Sequence, residues 1–146
     1  MAFRGTFDHT LDAKNRLTVP SRFRATLADG VVLAKPIDGV RCVELWVPEG
    51  YDAYSAEALH ERNPARPETR QLGRFFAANS FDTELDSAGR VMLPHFLIED
   101  AELTREVVVT GAGDHLEVWD RASWAAYNDD LSSRVPEIAA SLGHPA

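Results

Sequence analysis

The chain's apolar and polar positions fall into two similar blocks. Each block opens, from near residue 6 and from near residue 80, with alternating residues that suit a half-buried strand. Each such strand is followed by a polar loop and a second short strand that ends at proline, Leu17-Thr18-Val19-Pro20 in the first block and Val91-Met92-Leu93-Pro94 in the second. Pro20 and Ser21 suit a helix start, Phe23 and Leu27 share one helical face, and Asp29-Gly30 closes the turn. The runs VVLA (31–34) and VVVTG (107–111) are β-branched and read as buried strands, and Cys42–Trp46 and His115–Trp119 supply a fourth strand in each block. The order is β-β-α-β-β, twice.

The repetition extends to individual residues. FDHTLDAKNRLTVP (7–20) and FDTELDSAGRVMLP (81–94) share Phe7/Phe81, Asp8/Asp82, Leu11/Leu85, Asp12/Asp86, Arg16/Arg90 and Pro20/Pro94 at a constant offset of 74. Further on, Glu44, Trp46, Tyr51 and Tyr54 answer Glu117, Trp119, Trp124 and Tyr127 at an offset of 73, so the two blocks differ by one residue net. Asn15 and Gly89 hold equivalent places and are the residue types that best tolerate a positive φ. Asp12–Arg16 and Asp86–Arg90 are therefore read as matched hairpin loops.

These boundaries give a first repeat over 6–54, a helical spacer over 55–79, a second repeat over 80–127 and a flexible C-terminal tail over 128–146. The spacer reads as a helix to about Arg62, a break at 63–67 and a second helix over 68–78. One block alone is too small to bury a good core. The fold class expected is mainly β with short helices (α+β), two interleaved copies closing a pseudo-twofold barrel.

Charge complicates the functional reading. The chain carries a formal −8, which argues against a phosphate-gripping protein. Its distribution is uneven. Residues 1–27 hold Arg4, Lys14, Arg16, Arg22 and Arg24 against Asp8 and Asp12, so the N-terminal end is basic and the body acidic. The single Cys42 gives no internal disulfide, no apolar run approaches a membrane span, and the N-terminus has no signal-peptide pattern, which together predict a cytoplasmic protein. His9, His95, His115 and Cys42 show no metal-ligand spacing and no nucleophile motif, so neither an enzyme nor a metal or cofactor site is expected.

The opening Phe3-Arg4-Gly5, the motifs Asp12-Ala-Lys-Asn-Arg16 and Asp86-Ser-Ala-Gly-Arg90, the strand ends Thr18-Val19-Pro20 and Met92-Leu93-Pro94, and the segment Glu117-Val118-Trp119-Asp120 resemble the MraZ family of bacterial transcriptional regulators. That family lies within the AbrB-like swapped-hairpin superfamily. The resemblance implies a swapped-hairpin fold and a nucleoid-associated protein that assembles into a ring-like homo-oligomer. It implies binding to direct repeats in double-stranded DNA upstream of the division and cell-wall gene cluster, commonly as an autoregulatory repressor. Neither a membrane nor a small-molecule substrate is expected. Where the family loop usually carries Gly, this chain has Asn15.

On this reading Lys14, Asn15 and Arg16 project from a tight loop that can enter the major groove, where Arg can bind guanine bidentately. Arg4 is either a phosphate contact or an intersubunit ion pair. The second loop has Ala88 in place of Lys and Asp82, Glu84 and Asp86 around Arg90, so Arg90 is assigned to structure or interface. Asp12 and Asp86 are assigned to fixing their own turns, Arg22 and Arg24 to solvated helix charge, and Trp46, Trp119 and Trp124 to core or interface. A protein-interaction module of the same superfamily, such as an antitoxin, is the alternative.

Overall fold

The computed structural model describes residues 2–143 of the chain. Eight strands and five helices follow in chain order: β1 (Thr6–Thr10), β2 (Arg16–Thr18), α1 (Ser21–Arg24), β3 (Val31–Ala34), β4 (Val43–Trp46), α2 (Pro48–Ala58), α3 (Pro67–Ala78), β5 (Ser80–Thr83), β6 (Arg90–Met92), α4 (His95–Asp100), β7 (Glu106–Gly111), β8 (Leu116–Asp120) and α5 (Arg121–Ser141). Each repeat is thus ββαββ, and the class is α+β with a mainly antiparallel sheet.

The hairpins are swapped. A six-stranded antiparallel sheet runs β1-β7-β8-β4-β3-β5, and β2 pairs with β6 in a separate two-stranded ribbon. The first strand of each repeat therefore lies on the third strand of the other, Phe7 opposite Val109 and Phe81 opposite Leu33. Two registers mark the pseudo-twofold axis: Leu17 faces its counterpart Val91 in the ribbon, and Glu44 faces its counterpart Glu117 across β4 and β8.

The main core fills the space between ribbon and sheet. Leu17, Val19, Val91 and Leu93 from the ribbon side pack with Val31, Leu33, Val43, Leu45, Val107, Val109, Leu116 and Val118 from the sheet. Hydrogen bonding leaves the ribbon and the sheet distinct, so packing closes the barrel. The outer face of the sheet is buried too. Val32, Ala34 and Trp46 lie under Tyr51 of α2 and Phe76 of α3, while Cys42, Val108 and Trp119 lie under Trp124 and Tyr127 of α5. This double covering explains why VVLA and VVVT are apolar without alternation. Burial pushes the Cys42 thiol far above its ordinary range, so it is unreactive at neutral pH.

The register also resolves the one-residue length change into two opposed ones. Val32 and Val108 occupy equivalent places, as do Trp46 and Trp119. The second repeat thus gains two residues around α4, which spans His95–Asp100 where α1 spans only Ser21–Arg24, and loses three in the β7–β8 turn.

Two expectations change. The spacer's first helix begins at Pro48, inside the first repeat as the sequence divides it, and ends at Ala58. Residues 128–141, expected as a flexible tail, are helical: α5 runs 21 residues to Ser141. Asp120 caps it by accepting from the Ser123 N–H, and Arg134 pairs with Asp130 one turn back. Residues 144–146 of that tail lie outside the described residues.

Candidate nucleic-acid interface

The first loop is built by Asp12. Its Oδ1 accepts from the backbone N–H groups of Lys14 and Arg16, both at 2.9 Å, and its Oδ2 accepts from Arg16 Nε at 2.7 Å. Asn15 takes φ 59°, closing the turn. The three donors, the Arg16 backbone N–H foremost, hold the Asp12 carboxyl down at about 2. The second loop repeats this arrangement: Asp86 accepts from Ala88 N, Arg90 N and Arg90 Nε, and Gly89 takes φ 75°. Both aspartates thus fix their own turns, and each holds its arginine through Nε. Among the described residues no protein acceptor engages the terminal nitrogens of Arg16 or Arg90, which leaves the outer edge of each guanidinium available.

The ribbon sets the two loops relative to one another. Arg16 pairs with Met92 and Thr18 with Arg90, while Leu17 and Val91 point into the core. Arg16, Thr18, Arg90 and Met92 therefore share the outward face, with the two arginines as diagonal neighbours about 7–8 Å apart at the backbone. The loops also brace each other: Asn15 C=O accepts from Leu93 N–H at 2.9 Å, and Gly89 C=O accepts from Val19 N–H at 3.0 Å.

Charge distinguishes the two ends of this face. Lys14 is exposed beside the half-buried Asn15 and Arg16. Arg105, which precedes β7, flanks the same loop: its backbone C=O accepts from Leu11 N–H at 2.8 Å and its side chain reaches Leu11 C=O. With Val32 equivalent to Val108, the position matching Arg105 in the first repeat is Asp29. The second loop carries Ala88 in place of Lys14, with Asp82 and Glu84 exposed nearby in sequence. Lys14, Arg16 and Arg105 thus gather at the first loop, while the second loop has Arg90 and the overlying Arg24, its Nε tied to Val19 C=O, with Asp82 and Glu84 nearby in sequence. Arg105 escaped the sequence reading because only the swap brings it to the first loop.

Arg4 is not part of this cluster. It lies beyond the opposite end of β1, beside the Phe3–Gly113 bridge, and β1 alone spans about 13 Å. Arg22 lies over the Phe7 ring at 5.3 Å, and Arg24 donates through Nε to Val19 C=O, so neither is merely a solvated helix charge. Trp46 and Trp119 are buried, which removes them as base-stacking platforms.

Comparison with known proteins decides the lineage. A family described as "MraZ protein, putative antitoxin-like" matches twice, over residues 2–75 and 76–141. The chain belongs to the MraZ family. It is 35% identical over 140 residues to a transcriptional regulator MraZ of Mycoplasmoides gallisepticum, an alignment covering 96% of both chains. It is 35% identical to the transcriptional regulator MraZ of Clostridium acetobutylicum, covering 97% of this chain and 99% of that one. The corresponding Heliobacterium modesticaldum regulator is 34% identical over 140 residues. The two MraZ matches split the chain between Phe75 and Phe76, so α3 spans the division. Among the described residues no helix is long and apolar enough to cross a membrane.

Proposed function

We propose that this chain is a non-enzymatic transcriptional regulator that reads double-stranded DNA with its first hairpin loop. The observation that carries the reading is the gathering of cations at the first loop: Asp12 holds Arg16 by Nε, leaving the guanidinium edge free, while Lys14 and Arg105 flank it. A two-stranded ribbon is narrow enough for the major groove, and a free guanidinium edge matches guanine O6 and N7. Asn15 adds an amide that can donate to or accept from a base edge. Lys14 and Arg105 suit phosphates, which position the reader without selecting sequence. Arg4, at the far end of β1, serves a phosphate of a different segment or a neighbouring subunit.

One bidentate base contact supplies about 1–3 kcal/mol of discrimination, too little to select one genomic site. Several loops on a ring-like homo-oligomer, each reading one direct repeat, would multiply it through avidity. The target proposed is the regulatory DNA of the division and cell-wall gene cluster, with repression of the chain's own gene, in the nucleoid of the cytoplasm. Family membership and the regulator names of the relatives support transcriptional regulation, and the target is what the family resemblance implies.

The test is fluorescence-anisotropy titration of the full chain against DNA carrying the direct repeats upstream of its native gene, with scrambled repeats as control, at two salt concentrations. The expected result is preference for the repeats and an affinity that falls steeply with salt. Equal binding to both DNAs would remove sequence reading, and no binding at low salt would favour a protein-interaction role.

A further inference from the structure

The other end of the pseudo-twofold axis, on the outer face of the sheet, carries a second constellation. Glu44 and Glu117 face each other across β4 and β8, a like-charge pair at a position where repulsion is expected to destabilise a sheet. Neither carboxylate has a Lys or Arg within ion-pair distance among the described residues. Between them lies His115, whose Nε2 is 3.0 Å from Glu117 Oε2 and 3.6 Å from Glu44 Oε2. His115 occupies the place that Cys42 holds in the first repeat.

We propose that Glu44, His115 and Glu117 form a site for a divalent transition-metal ion of the zinc type, which clamps the two repeats together at their central seam. The ligand geometry is the first argument. Four ligands about 2.0–2.1 Å from a tetrahedral zinc lie about 3.3–3.4 Å apart, and the two His115 edges, 3.0 Å and 3.6 Å, bracket that value. All three ligand atoms lie within 4.8 Å of one another. Three protein ligands leave a fourth position for water.

The outer shell is the second argument, and it is independent of those distances. Each ligand is held by the atom it does not offer to the site. Glu44 Oε1 accepts from Trp46 Nε1 at 2.9 Å, and Glu117 Oε1 accepts from Trp119 Nε1 at 3.0 Å, which turns both Oε2 atoms toward His115. Asp114 Oδ1 lies 2.7 Å from His115 Nδ1, the carboxylate–imidazole contact that fixes the ring and leaves Nε2 to coordinate. Trp46 stacks flat on the imidazole at 4.3 Å and prevents it from swinging away. The imidazole selects transition metals over Mg²⁺ and Ca²⁺, which prefer all-oxygen sites. A metal ion bound here neutralises the two facing carboxylates, for which the described residues offer no Lys or Arg partner. Sequence spacing hides the site because Glu44 comes from the first repeat and its partners from the second.

The inference is independent of DNA binding. Its test is equilibrium dialysis of the chelator-stripped full chain against Zn²⁺, with metal content and thermal melting measured on the same samples. The wild type is expected to bind one tight Zn²⁺ per chain and to melt at a higher temperature with it. His115→Gln should lose both effects. Asp114→Asn, at an exposed position outside the metal's immediate ligands, should keep the fold and weaken Zn²⁺ binding about 10–100-fold. Excess Mg²⁺ should not compete. Tight stoichiometric binding retained in His115→Gln would place the metal elsewhere, for instance at the exposed His95–Glu99 pair. Either that result, no tight binding by the wild type, or unaltered affinity in Asp114→Asn would overturn the proposal.

Discussion

Arg24 of the first repeat lies over Gly89 of the second, so closely that a Cβ at Gly89 would come within 2.5 Å of the Arg24 Nε. The equivalent pair is Ile98 and Asn15, which line a shared shallow cleft beside the first loop. The two loops are therefore not interchangeable. An arginine covers the second loop and makes glycine fit there, while an isoleucine leaves the first loop room for the Asn15 side chain.

The first prediction concerns these two turns. Gly89→Ala places a Cβ at φ 75° and displaces Arg24 from Val19 C=O, so it should destabilise the fold by about 1–3 kcal/mol. Asn15→Gly should change stability by no more than about 0.5 kcal/mol, since glycine adopts φ 59° freely. Urea denaturation of both variants measures this. Equal losses would contradict the packing described.

The swapped pairings make a second prediction. β1 rests on β7, β5 on β3 and β2 on β6, so every repeat lends its hairpin to the other. Residues 1–79 and 80–146 expressed separately should each lack a folded monomer, and mixing them should restore native circular dichroism as a 1:1 complex. A folded, monomeric single repeat would contradict the interleaving.

Much of this organisation is legible in the sequence because the signals are local. The Asp-to-Arg loops announce themselves through a residue that tolerates positive φ and an Asp that can accept from the backbone two and four residues on. The continuous apolar runs of β3 and β7 announce strands buried on both faces. What stays hidden depends on contacts across the swap. Arg105 reaches the first loop only because β7 belongs to the other repeat, and Arg24 reads as an ordinary helix-surface cation until Gly89 is placed beneath it. The two compensating length changes around α4 and the β7–β8 turn cancel almost fully in the alignment, leaving a single residue visible. Residues 128–141 read as a tail because Pro136 argues against a helix, yet the Asp120 cap and the Asp130–Arg134 pair accompany a helix that runs past it.

Acid titration supplies a third prediction. Asp12 should titrate at about 2, against an ordinary value of 3.8, in a carboxyl-resolved NMR experiment. A carboxyl depressed in this way contributes stability that is present above its ordinary value and lost as pH falls through about 2. Because the leading cause is a backbone N–H, Arg16→Ala should raise the value only part of the way to 3.8. A return to the ordinary value in that variant would show that the ion pair, and not the turn, holds Asp12.

The seam of the metal-free protein should respond to alkali. Burial raises the Glu44 carboxyl above 4.5, against the opposing pull of the Trp46 indole and His115. For His115 burial pulls downward, but the hydrogen bonds to Glu117 and Asp114 and the charge of Glu44 prevail and raise it above 6.5. Both groups thus stabilise the fold fully below their ordinary values and lose that contribution as pH climbs through the raised folded ones. The melting temperature of chelator-treated protein should fall as pH rises from about 6.5, and His115→Gln should flatten that slope. A wild-type melting temperature that rises over the same range would contradict the shift.

We infer that the first loop reads DNA and the second supports it. The most direct test compares Arg16→Ala with Arg90→Ala in anisotropy titrations on the native direct repeats, with oligomer size followed by light scattering. Arg16→Ala should lose about 1–3 kcal/mol of affinity per contacted repeat, at unchanged oligomer size. Arg90→Ala should retain sequence preference in whatever protein remains assembled. Wild-type affinity in Arg16→Ala, or an equal loss of sequence preference in assembled Arg90→Ala, would contradict it.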